Sequence, residues 1–186
     1  MLPPCFWRPV TDLLVLCTGN AARSVMAGFM LETLRAARPA GGPELRIVTA
    51  GTHTIDGQPM GMRTRAAMST IDALAGSDFT RHRSRQVLEA DLVVAELVVV
   101  MEADHVRFIR RQFPAAAART GTIKRLCADL EAAPPGLEAR VAALGLAEVA
   151  LTDDEDVLDP AGHDGDVYTD CAVELWGLCQ RLITLL

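Results

Sequence analysis

The chain has 186 residues, of which 50% are hydrophobic and 23% are charged, and its formal net charge is −6. This length fits one domain with an ample core, and the composition is that of an ordinary globular protein. A negative surface repels nucleic acid and anionic membranes, so we expect neither as a partner, and we expect any anion site to be a local basic pocket.

The five cysteines show neither a CxxC pair nor the regular spacing of a disulfide framework, which favours reduced thiols. Residues 1–10 are proline-rich and lack the basic and apolar regions of a secretory signal. The longest apolar runs are only strand-sized. We therefore expect a cytoplasmic protein without a membrane span.

Apolar runs and helical spacing alternate along the chain. Strands are expected over residues 12–17, 45–50, 96–101 and 123–127. Helices are expected after Arg23, up to the proline- and glycine-rich stretch 39–43, and then over residues 63–75, 103–113, 137–145 and 166–185. This alternation predicts an α/β fold with a parallel sheet, in which ligands bind beyond the carboxyl ends of the strands.

We interpret the chain as a single domain over residues 1–186 that carries an insertion or mobile flap at 129–156, where the sequence is acidic and rich in proline and alanine. The acidic end of this segment, residues 153–156, is interpreted as a solvated charge run. His53 and His163 are interpreted as solvated loop histidines.

The segment from Cys17 to Ser24 is the strongest functional signal in the sequence. Cys17 ends an apolar strand, and Gly19 and Asn20 tolerate the positive φ that a tight anion-binding loop demands. Loop N–H groups and the following helix N-terminus attract an anion and favour a thiolate. Arg23 can hold two oxygens of a tetrahedral anion, and Ser24 can donate to the sulfur. The pattern indicates removal of phosphoryl groups through a phosphocysteine; the alternative is a buried structural cysteine beside a helix-capping turn.

Blocks from about residue 12 onward resemble the low-molecular-weight protein tyrosine phosphatase family, which also contains thioredoxin-coupled arsenate reductases and protein arginine phosphatases. In family order, these blocks are Val15–Ala27, Thr49–Thr52 with Gly57 and Pro59, His82–Gln86, Val98–Glu102 with His105, and Asp156–Pro160. The resemblance implies a four-stranded parallel sheet flanked by helices on both faces, with the phosphate loop between the first strand and the first helix.

The resemblance also implies a two-step mechanism that needs no metal and no other cofactor. Cys17 attacks phosphorus, Arg23 and the loop amides stabilise the equatorial oxygens, and Asp159 protonates the leaving group and then activates water. Thr49 and His82 would hold the loop through its asparagine. The loop residues expected to bind phosphate are Thr18, Gly19, Asn20, Ala21, Ala22 and Ser24.

The substrate implied by the family is a phosphoprotein or a small phosphomonoester, with protein phosphotyrosine as the first candidate and inorganic phosphate as the product. Ala22 stands where the family commonly has a second cysteine, and Ala21 is smaller than the family's usual residue. Tyr168 is the only aromatic residue expected near the site, so ring stacking is expected to be weak or absent.

Three alternatives stay open at this point: a protein arginine phosphatase, a thioredoxin-type arsenate reductase, and a non-catalytic phosphate-binding module. An arsenate reductase needs resolving thiols, and no cysteine lies between Cys17 and Cys127. Cys171 and Cys179 are expected in the core of the last helix, which disfavours the reductase.

Overall fold

The computed structural model describes residues 10–39, 44–132 and 136–186. The strands are β1 (Val10–Cys17), β2 (Glu44–Gly51), β3 (Leu97–Val100) and β4 (Thr120–Thr122). They form one sheet in the order β2-β1-β3-β4, and every neighbouring pair is parallel. The predicted α/β fold with a four-stranded parallel sheet is therefore confirmed.

Helices flank this sheet. The described residues form α1 (Arg23–Ala36), α2 (Met62–Met68), α3 (Glu89–Val94), α4 (Ala103–Gln112), α5 (Ile123–Asp129), α6 (Leu137–Ala143) and α7 (Gly165–Leu185). Short 3₁₀ turns lie at Asp72–Leu74, Phe79–Arg81, Pro114–Arg119 and Asp153–Glu155. In the described part of the chain, no helix has both the length and the apolar character that crossing a membrane requires.

The sheet is buried on both faces because successive side chains of a strand point to opposite sides. Leu13 of β1 lies in a core shared with α1 and α7, whereas its neighbour Leu14 faces a second core shared with α3 and α4. This double burial explains why β1 and β3 are continuous apolar runs in the sequence.

The prediction of a strand over residues 123–127 is wrong, because β4 ends at Thr122 and a helix follows at once. The Thr122 side chain accepts a hydrogen bond from the backbone N–H of Arg125 at 3.2 Å and caps this helix, α5. Ile123 and Leu126 lie three residues apart, so both fall on its buried face. The apolar residues that suggested a strand therefore form one side of a helix.

The predicted helix over residues 63–75 is too long, since α2 ends at Met68. The hydroxyls of Ser69 and Thr70 donate to carbonyls of the preceding turn at 2.9 and 2.7 Å. Such bonds compete with continued helix geometry, and the chain passes instead into the 3₁₀ turn Asp72–Leu74.

The segment 129–156 contains α6 and a 3₁₀ turn, and its interpretation as an insertion stays a prediction. α6 ends at Ala143, two residues before the predicted end, and Gly145 then adopts a φ of +60°. Residues 133–135 of this segment, residues 1–9 of the proline-rich start and residues 40–43 of the loop after α1 lie outside the described residues.

Candidate active site

The loop between β1 and α1 folds tightly around the carboxyl end of β1. Asn20 has a φ of +47°, a left-handed conformation that asparagine tolerates. Gly19 does not share it, so only one of the two residues expected to tolerate positive φ uses that freedom. Gly51, at the end of β2, lies so close that a Cβ there would be 2.6 Å from the Thr18 carbonyl oxygen. The end of β2 therefore fixes the loop backbone.

The side chains of Cys17 and Ser24 meet at the base of this loop. The Cys17 Sγ lies 3.0 Å from the Ser24 Oγ, and both residues are buried. Asn20 Nδ2 donates to the same serine oxygen at 3.0 Å. Because the serine oxygen accepts from the amide, its own proton is available to the sulfur. The structure thus brings together the two atoms for which the sequence predicted this bond.

Asn20 is the centre of the supporting contacts. Its Nδ2 also donates to Thr49 Oγ1 at 3.1 Å, and its Oδ1 accepts from the backbone N–H of Arg85 at 3.1 Å. His82 Nε2 donates to the Asn20 carbonyl at 2.9 Å. Burial lowers the pKa of His82, partly opposed by that carbonyl. Thr49 and His82 therefore lie in the positions from which they were expected to hold the loop.

Arg23 lies beneath the loop and is only 1% exposed. One terminal nitrogen donates to Glu102 Oε2 at 2.5 Å and to the Val157 carbonyl at 3.0 Å. The other donates to Asp159 Oδ2 at 2.6 Å and lies 3.5 Å from Thr18 Oγ1. Burial alone would lower the pKa of Arg23, but the two carboxylates outweigh burial and raise it. The guanidinium is therefore charged and firmly oriented.

Asp159 reaches Arg23 from the loop that precedes α7. Its side chain is 40% exposed, and its second oxygen accepts a hydrogen bond from the backbone N–H of Ala161 at 3.0 Å. The loop is fixed to the end of β3 because the Val157 N–H donates to the Met101 carbonyl at 2.8 Å. The carboxyl group thus lies beside the guanidinium while remaining open to solvent.

The acidic run before this loop is only partly solvated, contrary to the interpretation from the sequence. Its two leading aspartates are exposed, but Glu155 is buried, pairs with Arg125 and accepts a hydrogen bond from the Thr122 hydroxyl at 2.8 Å. Asp156 accepts from the first backbone N–H of α4 at 2.7 Å. These contacts tie the loop that carries Asp159 to α4 and α5.

Glu102 and His105, which the sequence identified only as parts of the family pattern, also lie at the site. His105 Nε2 is 3.0 Å from Thr18 Oγ1 and 3.3 Å from Glu102 Oε1. His105 is 2% exposed, and burial, assisted by the positive charge of Arg23, lowers its pKa to about 3. Glu102 and His105 lie three residues apart at the start of a helix, and this spacing is the signal that could have identified the pair.

The buried His105 should make folding stability depend on pH. The unfolded chain takes up this proton below its ordinary pKa of 6.5, whereas the folded state resists it down to about 3, so stability falls as pH drops below 6.5. Between about pH 7.5 and pH 5.5 the loss from His105 alone is about 1.4 kcal/mol. Over this interval, the free energy of unfolding measured with urea should fall by about 1.4 kcal/mol more in the native chain than in the His105→Gln variant. Equal losses would contradict a buried neutral imidazole. The charged and titratable groups that act on His105 are Arg23, Glu102, Asp159, Asp104 and His53.

An aromatic surface that the sequence did not reveal lies beside the loop. His53 donates its backbone N–H to the Thr18 carbonyl at 2.9 Å, and its ring meets Phe108 of α4 edge to face, with 5.1 Å between ring centroids. Phe113 packs against Phe108 at 6.0 Å. Tyr168 is half-buried and packs against the core that α7 shares with the sheet. The residue beside the loop that carries an aromatic ring is therefore His53, with Phe108 packed against it, whereas the predicted Tyr168 packs against the core.

Ala21 and Ala22 complete the loop. Ala21 is exposed, and its carbonyl accepts a hydrogen bond from the Thr64 hydroxyl at 3.1 Å. Ala22 is half-buried and packs against the core. Among residues 10–39, 44–132 and 136–186, no group of three or more His, Cys, Asp or Glu side chains is arranged to hold a metal ion.

Known proteins resemble this chain in both sequence and structure. The family described as low molecular weight phosphotyrosine protein phosphatase matches residues 12–138. A probable low molecular weight protein-tyrosine-phosphatase, EpsP, from Ralstonia nicotianae is 29% identical over 119 residues, which is 63% of this chain and 71% of that protein. A protein-arginine-phosphatase from Geobacillus stearothermophilus is 25% identical over 170 residues, 91% of this chain and 92% of that protein. The crystal structure of a low molecular weight protein tyrosine phosphatase from T. tengcongensis superposes with a TM-score of 0.70 at 28% identity, over 95% of this chain and 99% of that one.

Proposed function

Because the chain belongs to the low molecular weight phosphotyrosine protein phosphatase family, we propose that it hydrolyses phosphotyrosine in proteins through a phosphocysteine on Cys17. The observation that carries this proposal is the convergence of the Cys17 sulfur, the Arg23 guanidinium and the Asp159 carboxyl at the carboxyl ends of β1 and β3. Together they supply a nucleophile, a cation for the phosphoryl oxygens and a proton donor.

In the first step, the Cys17 thiolate attacks phosphorus opposite the leaving oxygen. The loop N–H groups and Arg23 hold the three equatorial oxygens while charge shifts onto the leaving group. One terminal nitrogen of Arg23 is already anchored by Glu102 and the Val157 carbonyl, so the guanidinium is oriented before substrate binds, with its other terminal nitrogen donating to Asp159. Little reorganisation is then needed in the transition state.

In the second step, the phosphocysteine is hydrolysed. Asp159 has given its proton to the departing tyrosine oxygen and now takes one from the water that attacks phosphorus, which releases inorganic phosphate and restores the thiolate. A phosphoryl group in the loop competes with Asp159 for one nitrogen of Arg23. Substrate binding thereby frees the carboxyl to turn toward the leaving oxygen.

The contact of His53 with Phe108 supports an aromatic leaving group. The His53 ring is exposed beside the loop, and Phe108 supports it from α4. A phosphotyrosine ring entering the loop could pack edge to face or offset against these rings, geometries that aromatic pairs favour. The rings of His53 and Phe108 thereby offer the substrate ring the stacking that the low aromatic content of the sequence had argued against.

A second candidate is protein arginine phosphatase activity. Its supporting observation is the relative from Geobacillus stearothermophilus, which aligns with 91% of this chain. The loop does not discriminate between the two substrates, because Ala21 offers neither a branched apolar side chain nor a hydroxyl to the leaving group.

A substrate panel separates these candidates. Peptides of one sequence that carry phosphotyrosine, phosphoarginine or phosphoserine should give the highest kcat/KM for phosphotyrosine. In the His53→Ala variant, kcat/KM should fall about three- to tenfold on phosphotyrosine and little on phosphoserine, because only the tyrosine ring of the substrate can stack on His53. Highest activity on phosphoarginine would establish the second candidate, and tight phosphate binding without turnover of any peptide would favour a non-catalytic module.

The three other thiols in the described part of the chain argue against an arsenate reductase. Burial raises the pKa of Cys127 to about 11 and that of Cys171 to about 12, and it raises the pKa of Cys179 further. Thiol–disulfide exchange requires a thiolate as the attacking group, and these thiols stay protonated near neutral pH. We therefore expect no thioredoxin-dependent turnover of arsenate.

The Arg23→Lys variant is expected to lower kcat/KM on phosphotyrosine by about 10²–10³-fold. Lysine keeps the charge but not the planar fork that holds Glu102 on one side and substrate oxygens on the other. Arg35→Lys, an exchange at a partly exposed position on the same helix, is the matched control and should leave the rate unchanged. Activity of Arg23→Lys within threefold of the native chain would exclude a role for bidentate binding.

A further inference from the structure

Three side chains form a chain of contacts from the phosphate loop to the start of α4. Thr18 Oγ1 lies 3.0 Å from His105 Nε2, and that nitrogen lies 3.3 Å from Glu102 Oε1. The other oxygen of Glu102 is held by Arg23. The two-step mechanism uses Thr18 only through the loop N–H groups and gives its hydroxyl and His105 no role, although both lie beside the guanidinium.

The proton positions in this chain follow from the chemistry of its members. Glu102 offers only acceptor oxygens, so a lone pair on His105 Nε2, 3.3 Å from Glu102 Oε1, would be repelled, which favours the imidazole proton on Nε2. His105 Nδ1 is buried without a partner among the described residues. An unpaired acceptor is tolerated better there than an unpaired N–H donor, which favours the same tautomer.

This tautomer decides what the Thr18 hydroxyl can do. Its oxygen accepts from His105 Nε2 and lies 3.5 Å from a second donor, a terminal nitrogen of Arg23. With donors on both lone pairs, the hydroxyl proton must point away from both. In the hydrogen bonds of the described residues, no acceptor takes that proton.

We propose that the Thr18 hydroxyl donates a hydrogen bond to a non-bridging oxygen of the bound phosphoryl group, and that His105 and Glu102 are positioning residues that orient it. Thr18 directly follows Cys17, is half-exposed, and lies beside the Arg23 nitrogen that faces the anion. One phosphoryl oxygen can therefore receive both donors. This assignment rests on the proposed function, since it adds a contact to the same site.

The test compares Thr18→Val, which has the same shape without a hydroxyl, with Thr18→Ser, which keeps the hydroxyl. We expect Thr18→Val to lower kcat/KM on a phosphotyrosine peptide by about 10–100-fold and to weaken inhibition by inorganic phosphate, since a hydrogen bond to a charged group is lost. Thr18→Ser should stay within about threefold of the native chain. Native-like activity of Thr18→Val, or an equal loss in both variants, would overturn the proposal.

The role of His105 is tested by a double-mutant cycle. His105→Leu should lower kcat/KM about tenfold in the native background and by less than about twofold in the Thr18→Val background, because its effect acts through the hydroxyl. A purely structural role predicts equal losses in both backgrounds. His105→Gln, whose amide can still donate, should recover most of the activity lost in His105→Leu, and failure of this recovery would count against orientation by a donor.

Nitrogen-15 NMR of His105 gives a readout that does not depend on turnover. The proposal predicts a neutral ring protonated at Nε2 throughout about pH 5–8. A ring protonated at Nδ1 would overturn the assignment even in an active enzyme. An inactive native chain would instead reject the proposed function, so the two failures are distinguishable.

Discussion

Replacing Cys17 with serine is expected to lower kcat on a phosphotyrosine peptide by about 10⁴-fold or more while leaving the fold unchanged. A serine hydroxyl is a far weaker nucleophile than a thiolate at neutral pH. The exchange is nearly isosteric, and the new oxygen keeps a hydrogen-bonding partner in Ser24. Turnover is measured by phosphate release, and thermal unfolding reports whether the variant is folded.

Cys127→Ser is the matched control for this loss. Cys127 is a half-buried thiol on α5 whose sulfur donates to the Leu178 carbonyl, and a serine hydroxyl can make the same bond. We expect its activity to equal that of the native chain. If Cys17→Ser were as active as Cys127→Ser, no covalent intermediate on Cys17 could account for the reaction.

The Asp159→Asn variant is expected to lower kcat/KM on phosphotyrosine by about 10²–10⁴-fold, because the leaving oxygen loses its proton donor. Asparagine keeps an oxygen that can accept from the Ala161 N–H, so the loop should retain its shape. The loss of kcat/KM, which reports the steps up to formation of the phosphocysteine, should be much smaller on p-nitrophenyl phosphate, whose leaving group departs readily as an anion. kcat should fall on both substrates, because hydrolysis of the phosphocysteine lacks its base. The ratio of the two losses of kcat/KM is therefore the diagnostic quantity.

Asp154→Asn provides the comparison for charge alone. Asp154 is an exposed carboxylate five residues earlier in the same segment, and its neutralisation should change neither rate appreciably. An equal loss of kcat/KM on both substrates in Asp159→Asn would show that the residue supports the site rather than donating a proton. Such a result would mean that another group protonates the leaving oxygen.

The parallel sheet was predictable because β1 and β3 are buried on both faces and therefore appear as unbroken apolar runs. β4 was not predictable from the sequence, because its three residues carry no hydrophobic pattern of their own. These residues are Thr120, Gly121 and Thr122. Its strand identity comes from pairing with β3, a tertiary contact that local sequence does not record. The apolar residues just after it belong to α5, and they placed the predicted strand three residues too late at its start and five too late at its end.

The contiguous part of the site was equally predictable, since Cys17, Asn20, Arg23 and Ser24 lie within eight residues of chain. The contacts of His105 and Phe108 were not, because both come from α4 and reach the loop only through the adjacency of β1 and β3. The burial of Glu155 was missed for a similar reason. Its partner Arg125 lies thirty residues earlier, and a charge run viewed alone predicts solvation.

Detection of the covalent intermediate is the most direct test of catalysis through Cys17. The native chain should be mixed with a phosphotyrosine peptide, quenched during the first turnover, digested and examined by mass spectrometry. We expect one phosphoryl group on the peptide that contains Cys17. A larger fraction of that peptide should carry it in the Asp159→Asn variant when p-nitrophenyl phosphate is the substrate, because hydrolysis then lacks its base. Release of phosphate while Cys17 stays unmodified, or a phosphoryl group on another residue, would contradict a phosphocysteine intermediate on Cys17.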